Sequence, residues 1–178
     1  MKRRPGFVAG GLVLLLAGGL VATLLFSRGA SDRAAERRAV KAYVDAVRPA
    51  GVEGGRIVQQ EIKPLLTDLR QGQVTPQQFR TEAEGWLRRF RVIRRTFAES
   101  PHPARLNQAA SLYAEAMNGY VAAVQAWIVA SAKPAQAARN AAIAEAASIA
   151  EEADDAYDRA RAALEREMRR VGLRVPEL

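Results

Sequence analysis

Three arginines with helical spacing are the first residues in this chain that could do chemistry. Arg88, Arg91 and Arg95 recur at intervals of three and four, which places them on one face of a helix and defines an Arg stripe. Guanidinium groups bind phosphate and carboxylate well, so this stripe is a candidate site for an anion or an acidic partner. A row of arginines is more often a solvated helix face, and both interpretations stay open.

A second set of side chains carries the opposite charge. Glu151, Asp155 and Asp158 are spaced by four and three and form an acidic stripe. Hard cations such as calcium prefer oxygen ligands, but a helix lacks the loop geometry that usually holds them. The Glu-x-x-His pairs of a di-iron bundle are also absent from the sequence. We therefore expect a patch for an acidic contact with a partner, and no metal site.

A third set is aromatic. Tyr113, Tyr120 and Trp127 are seven residues apart, so they share one stripe of a helix. Such a stripe could line a ligand pocket opposite Gly51 and Gly54, and tyrosine hydroxyls exposed at the seam would be its sign. Aromatic stripes more often belong to the hydrophobic core, which is the outcome we expect here.

The sequence contains no recognisable catalytic or cofactor motif. It shows no nucleophile–base pair and no phosphate-binding loop. The chain has no cysteine, which excludes disulfides and thiol catalysis. Its single histidine, His102, lies between two prolines in a predicted turn. We expect a protein that is not an enzyme and that needs no cofactor.

An uncharged segment near the N-terminus predicts where the protein is located. Residues 7–26 follow a short basic tail, residues 1–6, and contain no charged side chain. A helix of this length is about 30 Å long, which matches the hydrocarbon core of a bilayer. The run is longer than the apolar region of a cleaved signal peptide. We expect an uncleaved transmembrane signal-anchor followed by a juxtamembrane linker, residues 27–30, with cleavage left as the alternative.

Two features of the sequence bear on the orientation of this span in the membrane, and they disagree. Three basic residues precede it, and five follow between residues 28 and 41, so a plain count favours a cytoplasmic C-terminal domain. A short basic tail followed at once by an apolar run is instead the arrangement of an export signal. We expect the N-terminus in the cytoplasm and the C-terminal domain outside, with the reverse orientation left open.

The pattern of residues 31–172 predicts four helices, followed by a short tail at residues 173–178. Gly72 and Gly172 are the predicted stops of the first and the fourth helix. The second predicted helix starts with the capping sequence at Thr75 and carries a heptad seam from Phe79 to Phe97, and the third helix, residues 104–131, repeats this seam. Short connections between long helices favour antiparallel neighbours. The predicted fold is therefore all-α, an antiparallel (up-down-up-down) four-helix bundle behind one transmembrane helix.

The first predicted helix is the least regular. Ser31 could cap a helix that begins near Asp32. Pro49 and the glycines after it leave two alternatives open, a break at residues 49–55 or a helix that continues through them. If the helix continues, Gly51 and its neighbour Gly54 form a notch that could receive a bulky side chain.

Charge and architecture together suggest an interaction role. The residues after the span include 24 basic and 19 acidic side chains, and their net charge of about +5 is too weak to predict nucleic-acid binding. In a simple bundle the second and fourth helices are diagonal, and counting residues from the loops places Asp154 near the height of Arg95. The two stripes would then face opposite ways, which suits head-to-tail association.

We therefore expect a single-pass, non-catalytic, extracytoplasmic interaction or scaffold module of the cell envelope. Its expected partners are the bilayer, through residues 7–26, and a protein or a second copy, with anionic lipid or wall polymer as a further candidate. A bundle that binds a small ligand or an anionic polymer is the alternative. If the domain is cytoplasmic, a membrane adaptor for an internal complex replaces the envelope role.

Overall fold

All regular secondary structure among the described residues is helical. The structure, a computed structural model, describes the backbone of residues 10–175 and the side chains of residues 31–175. The elements in chain order are α1 (Gly10–Arg56), a π-helical turn (Ile57–Ile62), α2 (Lys63–Gln71), α3 (Pro76–Glu99), a 3-10 turn (Ala104–Leu106), α4 (Asn107–Ser131) and α5 (Gln136–Arg170). Because the junctions on both sides of the π turn keep α-helical backbone angles, α1, the π turn and α2 form one first helix. The predicted all-α, four-helix architecture is confirmed.

The four helices lie around a common core in chain order. The main helix contacts run from α1 to α3, from α3 to α4 and from α4 to α5, and α5 returns to α1. The helices α3 and α5 are diagonal, as the sequence predicts. This arrangement buries one stripe of each helix and leaves its opposite side in solvent.

Aromatic residues of α3 fill much of the core. The predicted heptad seam is buried along its whole length, with Phe79, Trp86, Phe90 and Phe97 inside. The buried residues of α5 are mostly alanines, which allow α4 and α5 to approach closely. Gly119 of α4 shows how close this approach is, because a Cβ at that position would lie 2.7 Å from the Cβ of Ala153.

The predicted helix ends are present. The hydroxyl of Thr75 accepts a hydrogen bond from the backbone N–H of Gln78 at 3.2 Å, and the Gln78 side chain accepts one from the Thr75 N–H at 2.8 Å. This reciprocal pair is the predicted capping box. Gly72 and Gly172 end α2 and α5 with φ angles of 75° and 72°, a conformation that glycine adopts without steric cost.

The first helix continues through the region where the sequence left a break open. Helix α1 runs without interruption from Gly10 to Arg56, so its backbone has no break at residues 49–55, and the prediction of a helix that begins near Asp32 is wrong. The irregularity lies instead just before Pro64, where the Lys63 N–H bonds the carbonyl of Val58. Proline has no N–H and its ring would clash with the carbonyl four residues earlier, and the wider π turn relieves this clash.

The predicted glycine notch is present because α1 continues. A Cβ placed on Gly51 would lie 3.2 Å from the hydroxyl oxygen of Tyr157 and 3.8 Å from Cζ of Phe97. The bulky partner of the notch is therefore Tyr157 of α5. The glycine serves tertiary packing rather than chain breaking.

The predicted transmembrane span, residues 7–26, lies outside the part of the chain whose side chains are described, as do the tail at residues 1–6 and the last residues, 176–178. Among the described residues, none of the helices combines the length and the apolar character needed to cross a membrane.

Candidate functional site

The Arg stripe lies on the outer face of α3. Arg88, Arg91 and Arg95 are all exposed, and within residues 31–175 none of the three makes a hydrogen bond or an ion pair. Two arginines beside them are engaged by neighbouring helices: Arg89 binds the first helix, and Arg94 donates to the Asn118 side chain of α4 at 3.2 Å. Of the five arginines between residues 88 and 95, the three stripe residues are the ones without a partner among the described residues.

The acidic stripe occupies the corresponding outer face of α5. Glu151, Asp155 and Asp158 are exposed and form no ion pair with any other described residue. Their neighbours again point towards α4: Asp154 accepts a hydrogen bond from the Tyr120 hydroxyl, and Arg159 lies 3.6 Å from Glu115. Each predicted triplet is therefore assembled on one solvent face, and what either triplet binds remains a proposal.

An aromatic contact relates the heights of the two stripes along the bundle. Phe90 of α3 stacks on Tyr120 of α4 with ring centroids 5.3 Å apart, and Tyr120 donates to Asp154 of α5. Phe90 lies between Arg88 and Arg91 in sequence. The middle of the Arg stripe is therefore level with the Asp154 region of α5.

A second set of aromatic contacts also connects α3 to α5 through α4, about two turns further along α3. Phe97 stacks on Tyr113 at 4.3 Å, and Tyr113 meets the ring of Tyr157 at 5.3 Å. Arg95 precedes Phe97 by two residues, and Asp158 follows Tyr157 directly. The two stripes thus span the same levels of the bundle to within about one helical turn, which is about 5 Å.

The predicted aromatic stripe lies in the hydrophobic core. Tyr113, Tyr120 and Trp127 are all buried. The Trp127 ring N–H donates to the backbone carbonyl of Ile143 at 3.3 Å, and the Tyr120 hydroxyl has its partner in Asp154. Burial raises the pKa of Tyr120 far above its usual range, so this hydroxyl stays protonated.

Two of these residues also line cavities: Tyr113 lines one beside Gly51, and Tyr120 lines another beside Gly54 and Asp158. The first cavity, of about 60 Å³, lies between α1 and α5, and its walls include Tyr113, Tyr157, Gly51 and Arg161. No hydrogen bond from either tyrosine hydroxyl is present among the described residues. Burial raises the pKa of both phenols, so each hydroxyl keeps the proton that it can donate. The cavity is therefore mainly apolar with two hydroxyl groups in its wall.

A charged network at the π turn was not predicted from the sequence. Glu61 lies on this turn, where its carboxylate accepts hydrogen bonds from the Trp86 ring N–H at 2.8 Å and from Arg89 at 2.9 Å. Arg56 lies 2.7 Å from the same carboxylate, and Glu53 accepts hydrogen bonds from both arginines. Hydrogen bonds from Arg89, followed by that from Trp86, lower the pKa of Glu61 to about 2. The network ties the first helix to α3.

The remaining candidates for metal or acid–base chemistry are few. Within residues 31–175, no group of histidine and carboxylate side chains is placed to hold a metal ion. The Nδ1 atom of His102 lies 2.7 Å from the carbonyl of Ser100, and its ring packs on Tyr43 with centroids 5.2 Å apart. This histidine is held by its turn and by the first helix.

Comparisons of the chain with protein-family models, with curated proteins and with solved structures find no match.

Proposed function

We propose that this protein is a single-pass, membrane-anchored and non-catalytic interaction module of the cell envelope. Residues 7–26 cross the membrane, the basic tail stays in the cytoplasm, and the helical bundle lies outside. The bundle presents charged outer faces to partners that share the same membrane or wall. The observation that carries the proposal is the pair of exposed charged stripes, which lie on the diagonal helices α3 and α5 and have no partner within the described chain.

The anchor is supported by the length of the uncharged run and by the basic residues that precede it. The backbone of α1 adds a mechanical argument, because it is helical from Gly10 to Arg56 without a break. An anchor in this helix would join the bundle without a hinge and align the bundle axis with the span. The charged faces would then point sideways, parallel to the membrane surface.

The anchor and the side of the membrane can be tested together. The full chain with a C-terminal tag is expected to stay in the membrane fraction after an alkaline carbonate wash, and protease is expected to remove the tag from intact cells. Release by carbonate would contradict the anchor. Protection of the tag until lysis would contradict the envelope location and favour the cytoplasmic adaptor.

The interaction role needs a separate test. A photo-reactive side chain is placed at Val92, which is 53% exposed and lies between Arg91 and Arg95 in sequence. It is expected to form covalent adducts with the partner in cells. Charge reversal of the Arg stripe should abolish these adducts. The same group at Val129, which is exposed on α4, is the matched control and should form few adducts. Equal yields at both positions, or none at Val92, would contradict the proposal.

A second candidate function is the binding of a small ligand, which the cavity beside Tyr113 favours. Its volume of about 60 Å³ holds two or three methylene groups, well below the several hundred Å³ of a typical small-molecule site. Butanoate is a suitable probe because its three-carbon chain fits an apolar slot of this size and its carboxylate can meet Arg161. Butanoate should raise the unfolding temperature of the full chain but not of a Val47→Trp variant that fills the slot. An equal rise in both would count against this function.

A further inference from the structure

We propose that the partner of the bundle is a second copy of this chain, which lies beside the first with its acidic stripe against the Arg stripe of its neighbour. This inference depends on the proposed function, because it assumes that both copies are anchored in one membrane. It names the partner that the interaction module binds.

The two stripes are complementary in charge and in length. Each stripe holds three side chains of one sign, spaced by three and four residues or by four and three, so both cover two helical turns. Neither stripe is neutralised within the described part of its own chain, although neighbouring charged residues on the same helices do find partners. Each face therefore remains available to a group of the opposite sign.

The two stripes also lie at nearly the same height along the bundle. Anchored copies share one orientation and one depth, so a neighbour is reached by sideways translation, without inversion. Translation along the diagonal of the bundle brings α5 of one copy against α3 of the next. The contacts from Phe90 through Tyr120 to Asp154 show that these surfaces are level. Arginine side chains are long enough to bridge a remaining offset of less than one turn.

The geometry also specifies the type of assembly. The two faces lie on diagonal helices and differ in charge, so the contact is heterologous rather than symmetric. A heterologous contact made by translation leaves one Arg stripe and one acidic stripe free at the two ends. It therefore produces an open row of copies in the membrane, not a closed dimer.

The energetics indicate that this row needs the membrane. Exposed ion pairs each contribute little, and salt screens them. Anchoring raises the local concentration of copies and fixes their orientation, which reduces the entropic cost of association. Association should therefore be detectable in a bilayer and should weaken as the salt concentration rises.

Energy transfer between two pools of the full chain tests this inference. The pools carry donor or acceptor dyes on a C-terminal tag and are mixed in phosphatidylcholine vesicles, which lack anionic lipid. The measured quantity is the energy transfer in excess of that expected for randomly mixed copies. The triple change Arg88→Glu, Arg91→Glu and Arg95→Glu should lower this excess by about fivefold or more, because like charges then face each other. The triple change Glu151→Arg, Asp155→Arg and Asp158→Arg should do the same.

A mixture of the two charge-reversed variants tests directly whether the two stripes bind each other. Donor-labelled protein with the reversed Arg stripe and acceptor-labelled protein with the reversed acidic stripe present opposite charges again, so transfer should return to the wild-type level. The matched control reverses three exposed arginines elsewhere, Arg70, Arg80 and Arg166, which changes the net charge equally and should leave transfer unchanged. Circular dichroism checks that every variant keeps its helical fold.

The contrary outcomes are distinct. Undiminished transfer after either reversal, or no recovery in the mixture, would overturn the inference. Clustering that requires phosphatidylglycerol would overturn it too, because the Arg stripe would then bind anionic lipid. In both cases charge-dependent adducts at Val92 would still support the proposed function, whereas adducts of twice the chain mass would support the second copy as partner.

Discussion

Replacement of Glu61 by glutamine tests whether the π turn locks the first helix to α3. Glutamine keeps the shape of the side chain and an oxygen that can accept the Trp86 hydrogen bond, but it removes the charge that faces Arg89 and Arg56. Two guanidinium groups would then share the carboxylate of Glu53. We expect the variant to fold with lower stability.

The size of the effect follows from the pKa of Glu61. One pKa unit corresponds to about 1.4 kcal/mol, so the interval from 4.5 to about 2 sets an upper bound of about 3.5 kcal/mol. Water reaches 25% of the Glu61 side chain and 35% of Arg89, which screens their attraction. We therefore expect Glu61→Gln to lower the free energy of unfolding by about 1.5–2 kcal/mol, or about 5 °C in unfolding temperature.

The dependence on pH identifies the cause. Because the pKa of Glu61 is lower in the folded state than in the unfolded state, its contribution is complete above about pH 4.5 and is lost as the pH falls towards 2. Denaturant unfolding of the full chain in mild detergent should show the largest difference between wild type and variant near pH 6, and almost none near pH 2. Glu115→Gln, which removes an exposed ion pair, is the control and should change stability by less than about 0.5 kcal/mol. Equal stability of wild type and Glu61→Gln at pH 6 would refute the reasoning.

Further predictions concern the helix contacts and caps. Gly119→Ala should destabilise the bundle by about 1–2 kcal/mol in thermal unfolding, because its Cβ would lie 2.7 Å from that of Ala153. Gly85→Ala, where the Cβ meets open space inside α3, should instead stabilise it by about 0.5–1 kcal/mol, and destabilisation by both variants would contradict the packing argument. Thr75→Ala should cost about 1 kcal/mol by removing the capping bond to Gln78, and an unchanged unfolding midpoint would show that this cap contributes nothing.

The features that follow from local chemistry were predictable from the sequence. The heptad seam of α3, the capping box at Thr75 and the glycine stops at Gly72 and Gly172 each depend on a few neighbouring residues. The solvent faces followed in the same way, since the helical period alone groups Arg88 with its stripe. What these faces bind does not follow from the period.

Features that depend on two helices were harder to predict. A run of glycines after Pro49 indicates a break unless the partner on α5 is known, and Tyr157 is that partner. The network around Glu61 depends on the π turn, which rotates the following residues out of the regular α-helical phase. Counting from the loops placed Asp154 near Arg95, whereas the aromatic contacts place it nearer Phe90, a difference of little more than one turn.

A cysteine cross-link gives the most direct test of side-by-side association, because the chain has no cysteine of its own. Val92→Cys marks the Arg face, and Ser148→Cys marks the acidic face three residues before Glu151; both positions are exposed. In phosphatidylcholine vesicles, a short bis-maleimide reagent should join the two variants when they are mixed, and neither variant should cross-link when it is alone. Efficient cross-linking of Val92→Cys to itself, or none in the mixture, would contradict the account.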